Sequence, residues 1–309
     1  MAGKKKATDR HKVSTSQLLN FVKDSYLERT SRPLYAILFL LPFVLFYEIG
    51  TLLINTNTLN QTEVRVVAFV WLQEIFRYAG CDERLAWVAP PLVVVLVLLG
   101  LQLASRKPWS FYPHDVAPMA GECVLLAVPL IVLSLFLNTQ FHRVNPSPQP
   151  SDQPVAVSMQ AEVSTGLADP NVVDGQVPSG YAGPYEGSLL ASLVTSIGAG
   201  IYEELVFRLI LMCLLVVFFQ DLLRTPYTNA VILSVFISAA LFSAHHHVLF
   251  VEGRVGSGIP FTWPEFGFRT LAGVYFSALF AVRGFGITAG THVFYDILAT
   301  ILNAVYFTS

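Results

Sequence analysis

The chain has 309 residues, 54% of them apolar and only 13% charged, with 19 Lys and Arg set against 21 Asp and Glu. Soluble domains carry about 25% charge. This scarcity, with apolar runs near 20 residues, describes an integral membrane protein of helical type and excludes a soluble enzyme and a secreted disulfide scaffold. A net charge of −2 also offers no basic field for a nucleic acid.

The residues ahead of the first apolar run, 1–33, form a basic tail. Lys4, Lys5, Lys6, Arg10, Lys12, Lys23, Arg29 and Arg32 place eight of the basic residues there, so the N-terminus is expected in the cytoplasm. Leu18, Leu19, Val22, Tyr26 and Leu27 recur near helical spacing, which suits either a short amphipathic helix on the anionic leaflet or a solvated tail. No cleavable signal and no C-terminal lipidation box are read, so the spans are the anchor, and the cell (inner) membrane with its lipids is the expected setting.

Residues 34–137 form an N-terminal set of membrane helices. Leu34–Ile54 is the first span, since about 20 residues at 1.5 Å each cross the hydrocarbon. Glu63–Tyr78 mixes Glu63, Arg65, Glu74 and Arg77 with aromatics and suits an interfacial helix. Ala86–Ala104 and Ala117–Leu137 are the second and third spans. Residues 138–186, rich in Pro, Ser, Gln and Gly with five acids and one base, Arg143, read as a flexible external loop. A helix bundle over 187–305 follows: Gly187–Phe219, either one tilted helix or a helix broken near Gly198 and Gly200, then Tyr227–Val248, Phe266–Val282 and Gly286–Val305. The fold is an all-α polytopic bundle of about seven spans, with eight as the alternative, an interfacial helix and a long flexible external loop. Basic residues at Arg106, Lys107, Arg224 and Arg283 favour the N-terminal side for their connections and an external C-terminus.

Three motifs carry the chemistry. Glu203, Glu204 and Arg208 sit inside an apolar run, where each charge costs a few kcal/mol unless it is paired, solvated or used. Glu204 and Arg208 are four apart with the acid first, so their side chains can meet. One acid held ionised by Arg208 beside a second that is desolvated supplies a base for activating water; a helix-locking ion pair is the structural alternative. His245, His246 and His247 end the fifth span and point in three directions, so one or two can face a given partner; Phe242 lies one turn before His246. In the last span His292 and Asp296 are four apart, and the carboxylate can fix the imidazole tautomer. Glu48, Glu122, Arg269 and Arg283 rank lower, as residues that reach or snorkel to an interface. Cys81, Cys123 and Cys213 show no CxxC spacing and read as packing residues.

The order Glu-Glu-x3-Arg, Phe-x3-His, His-x3-Asp resembles the CAAX prenyl protease 2 and bacteriocin-processing (CPBP, or Abi) family of intramembrane endopeptidases, over about residues 187–305. The family's third motif ends in Asn in eukaryotic prenyl proteases and in Asp in many bacterial members, as at Asp296. The resemblance implies hydrolysis of a peptide bond in a protein or peptide substrate, lipidated or not, by Glu203, Glu204, Arg208, His246, His292 and Asp296. Either glutamate can serve as the base. Zinc on His246, His292 and Glu204 is chemically compatible, though no HExxH pairing favours it and a glutamate-only site needs no cofactor. Two other classes stay open: a non-catalytic binding or immunity protein with the same fold, and a solute carrier using the acids as a relay, which the lack of internal repeats disfavours. With the spans as drawn, Glu203, His246 and His292 spread over about 20 Å of depth, too far for one site.

Overall fold

The computed structural model describes residues 21–57, 64–144, 163–165, 189–251, 254–257 and 261–306. In chain order the helices are α1 (Tyr26–Thr30), α2 (Pro33–Asn57), α3 (Val67–Tyr78), α4 (Glu83–Ser105), α5 (Val116–Val144), α6 (Leu189–Leu222), α7 (Tyr227–His245), α8 (Trp263–Arg283) and α9 (Phe285–Tyr306). Two short antiparallel ribbons accompany them. Strand β1 (Val64–Val66) pairs with β2 (Val163–Thr165), Val64 opposite Thr165, and β3 (Val248–Val251) pairs with β4 (Arg254–Ser257), Val248 opposite Ser257. The architecture is an all-α polytopic bundle; the ribbons sit between its helices.

Among the described residues six helices are long and apolar enough to cross a membrane: α2, α4, α5, α6, α7 and α9. The expected seventh, α8, is long enough but not apolar enough. Glu265, Gly267, Arg269, Thr270 and Gly273 dilute it, and it is packed against α5, α7 and α9 rather than facing lipid throughout. Residues 67–78 form the short amphipathic helix expected there, α3, which is not among the helices able to span. Val67, Ala68, Phe69, Leu72, Gln73 and Glu74 of α3 are buried, and α3 rests on α4 and α6. Residues 138–144, expected in the loop, continue α5. Most of the 138–186 loop, and Leu18 and Leu19, lie outside the described residues.

One end of the bundle is tied by ion pairs. Arg283, at the end of α8, donates to Glu122 Oε1 at 2.6 Å, to the Leu27 carbonyl at 2.8 Å and to Thr30 Oγ1 at 2.9 Å. Arg29 donates through Nε to Asp115 Oδ2 at 2.9 Å, and the Tyr35 hydroxyl reaches the same oxygen at 2.9 Å. Arg283 therefore does not snorkel; it is consumed by Glu122 and α1. Burial, together with the hydrogen bond to Glu122, pushes the Tyr26 phenol above its ordinary range. These contacts gather α1, the start of α5 and the α8–α9 turn at one end of the bundle.

Gly198 and Gly200 do not break α6. They let neighbouring helices approach: a Cβ at Gly200 would lie 2.6 Å from the Val293 backbone nitrogen of α9, and one at Gly198 would lie 2.2 Å from the buried Tyr47 ring of α2. Close approach of backbones at small residues is how membrane helices gain dispersion contact. Gly200→Ala is thus expected to push α6 from α9, with a loss of about 1–3 kcal/mol, read as a lower melting temperature in detergent and a fall in any activity that needs the α6–α9 seam. An unchanged melting temperature would show that the seam yields without cost.

Candidate active site

The helix carrying the acid pair changes its winding at that pair. Residues Leu189–Glu204 are α-helical, Leu205–Met212 follow with π-type hydrogen bonding, and the helix continues through Cys213–Val217 to Leu222. Such widened turns are frequent at functional sites, because they rotate the following side chains. Here Glu203, Glu204 and Arg208 are all buried. Arg208 Nε lies 3.1 Å from Glu204 Oε2, and its guanidinium stands 4.1 Å over the Phe242 ring, which supplies the cation a second, electrostatic partner. Arg208 also stands 5.6 Å from the Phe276 ring centroid and donates from Nη2 to the Gly273 carbonyl of α8 at 3.5 Å.

The histidines come from the end of α7. Its regular winding stops at His245, and the N–H groups of His246 and His247 bond back three residues, to Ser243 and Ala244. Ser243 Oγ donates to the Phe266 carbonyl at 2.8 Å, which fixes this end of α7 to α8. Both His245 and His246 direct Nδ1 at the Phe242 carbonyl, at 3.0 Å for His246. A carbonyl only accepts, so each imidazole carries its hydrogen on Nδ1 and is left with a bare Nε2 when neutral. His245 Nε2 is 3.7 Å from Glu203 Oε1. His247 turns away, to the rings of Phe261 and Phe266.

The third motif meets the first. His292 Nδ1 donates to Glu204 Oε1 at 2.8 Å, and its ring is stacked on Phe276 at 4.7 Å and 19°. The carboxylate that fixes the His292 tautomer is therefore Glu204, not Asp296 as the four-residue spacing suggested. Asp296 Oδ2 lies 3.4 Å from His292 Nε2, without a hydrogen bond. Two acceptors cannot rest there bare, so a proton belongs to this pair, on the imidazolium or the carboxyl.

All six expected residues thus meet at one buried locus, and the 20 Å spread is corrected. Phe242 links its two ends, with its ring 5.3 Å from His246 and 6.1 Å from His292. The span boundaries misled because α6 runs over 34 residues, roughly 50 Å if straight. The midpoint of such a helix is not the midpoint of the membrane.

Four contributors were missed. Phe276 has no titratable group to draw attention. Arg269 was read as snorkelling, yet it is buried on α8. His245 was visible in the triplet but unassigned, since the spacing from Phe242 favours His246. Trp71 of α3, with its ring 5.7 Å from His245 and 6.1 Å from Phe207, belongs to no motif and comes from a helix far away in sequence.

The donor set that could hold a metal also differs from the expected His246, His292 and Glu204. Glu203, His245 and His246 offer ligand atoms within 4.8 Å of one another, whereas His292 is engaged by Glu204. A carboxylate with two imidazoles back-bonded through Nδ1 to a carbonyl fits the chemistry of a zinc site with an open position.

Residues 185–298 match the family model described as Type II CAAX prenyl endopeptidase Rce1-like. That segment resembles the Rce1-like family. It contains every one of the six motif residues, and the Rce1-like stretch covers α6, α7, α8 and the start of α9. The resemblance to CAAX-type intramembrane proteases holds at the level of the family for this part of the chain. No curated protein and no solved structure matches the chain.

Proposed function

We propose that this protein is an intramembrane endopeptidase of CAAX type that hydrolyses a peptide bond with water activated by Glu203. The observation that carries this reading is the unequal engagement of the two acids. Glu204 accepts from His292 through Oε1 and faces Arg208 through Oε2 at 3.1 Å, an ion pair without a hydrogen bond. Among the described residues Glu203 Oε2 has no hydrogen-bond partner, and the acid is paired with no arginine but lies beside the two imidazoles of α7. A general base needs that freedom.

In this scheme Glu203 takes a proton from water while His246 orients it, and the water oxygen adds to the scissile carbonyl. The proton between His292 and Asp296 stabilises the developing oxyanion and passes to the leaving amine as the C–N bond breaks. Arg208 keeps Glu204 charged as the anchor of His292. The substrate is a protein or peptide presented from the membrane beside a hydrophobic or lipidated segment, with the N-terminus of the enzyme in the cytoplasm. Zinc, if bound at Glu203, His245 and His246, would polarise the water; the glutamate scheme proceeds without it.

Purified full-length protein in detergent is expected to cleave such a peptide, and to keep its turnover after stringent chelation. Loss of activity on chelation with recovery on added zinc would replace the glutamate scheme by a metal-assisted one. No turnover on lipidated or plain hydrophobic peptides, with retained partner capture, would favour a binding protein of the same fold.

A further inference from the structure

Three acceptor groups converge where the scheme puts its water. Glu203 as a carboxylate has no hydrogen to give. The Nδ1 hydrogens of His245 and His246 are both spent on the Phe242 carbonyl. His245 turns the lone pair of Nε2 toward Glu203, 3.7 Å from Oε1, and one ligand atom from each of Glu203, His245 and His246 lies within 4.8 Å of the others. Among the described residues neither Glu203 Oε2 nor His246 Nε2 has a hydrogen-bond partner. Leaving such buried atoms bare costs about 1–3 kcal/mol each, so the arrangement calls for a guest that donates.

From this geometry we infer that His245, which lies outside the three motifs, is a catalytic residue that holds the nucleophilic water together with Glu203 and His246. The inference rests on the hydrolytic reading above. One water hydrogen points at Glu203, which receives it as the oxygen adds to the carbonyl. The other lies between the two imidazole nitrogens, an acceptor-sharing arrangement common in proteins. The free lone pair is thereby aimed away from all three groups, toward the carbonyl carbon. Protons and electrons balance as in any peptide hydrolysis: the C–N bond is replaced by C–O, and the amine leaves with a proton.

The ring of His245 is fixed by three aromatic rings, one of them, Trp71, from outside the Rce1-like segment. Trp71 meets it edge-on at 5.7 Å, Phe207 lies at 4.8 Å, and Phe242 at 5.5 Å. Trp71 belongs to α3, which packs on α6 with Phe69 against Tyr202, the residue before Glu203. Trp71 is accordingly a positioning residue, acting through the plane of the His245 imidazole.

The test has a structural and a kinetic arm, both on the full chain. A structure at a resolution that shows ordered solvent is expected to place one water within hydrogen-bond distance of Glu203, His245 and His246. A transition-metal peak there, no peak, or a water held without His245 would overturn the inference. In kinetics, His245→Phe keeps the aromatic packing and removes Nε2. It is expected to lower kcat by about 10²-fold, the scale of a misplaced reactant, with KM within about 2-fold and an unchanged melting temperature. Trp71→Ala should give a smaller loss in kcat at constant KM, and Trp71→Phe should recover most of it. A folded His245→Phe enzyme with wild-type kcat sinks the role of His245 alone. Absence of turnover in the wild type sinks the hydrolytic reading, while the solvent arm still decides whether the three groups hold water.

Discussion

Glu203→Gln is expected to lower kcat by at least about 10³-fold and leave the melting temperature nearly unchanged. The amide is isosteric, cannot accept the proton of water, and removes a carboxylate whose Oε2 has no hydrogen-bond partner among the described residues. General-base contributions of about 10²–10⁴ set the scale. Glu204→Gln should behave in the opposite sense. It keeps an oxygen for His292 but strips the counter-charge from a fully buried Arg208, so its main effect is on stability, with a fall in kcat that follows from a loosened His292. Measuring kcat and melting temperature for both variants in one detergent separates the roles. A folded, inactive Glu204→Gln beside an active Glu203→Gln would transfer the base to Glu204.

The site was legible in sequence because charge is rare in this chain, and a carboxylate or guanidinium deep in an apolar run has few reasons to persist. Spacing of four along a helix also placed Arg208 against Glu204, and Phe242 beside His246. What spacing could not reveal is competition between helices. His292 lies four residues from Asp296, yet bonds to Glu204 across the α6–α9 seam, because Gly200 lets the two backbones close. Arg269 and Arg283 carry the same charge near the two ends of one helix. One is enclosed by the bundle, the other consumed by Glu122 and α1, and neither fate is encoded in its local neighbours. Trp71 was hidden for the same reason: its partner His245 is distant in sequence, and α3 carries none of the three motifs.

Arg208→Met is expected to destabilise the protein by about 3–5 kcal/mol, the cost of leaving one member of a buried pair uncompensated. Glu204 would then face hydrocarbon and the His292 imidazole alone, and the Phe242 ring would lose the cation above it. Arg208→Lys should not rescue fully, since an ammonium cannot present Nε to Glu204 and Nη2 to the Gly273 carbonyl from one rigid plane. The double variant Glu204→Gln/Arg208→Met removes both charges, and should regain a large part of the lost stability, as buried pairs replaced together often do. Its activity should stay low, because His292 is then no longer held by a carboxylate. Recovery of folding without recovery of turnover would separate the two uses of this pair: its charges compensate each other for the membrane, and Glu204 orients an imidazole for the chemistry. Additive losses in the double variant would mean instead that Glu204 and Arg208 are stabilised independently, and that their 3.1 Å contact contributes little.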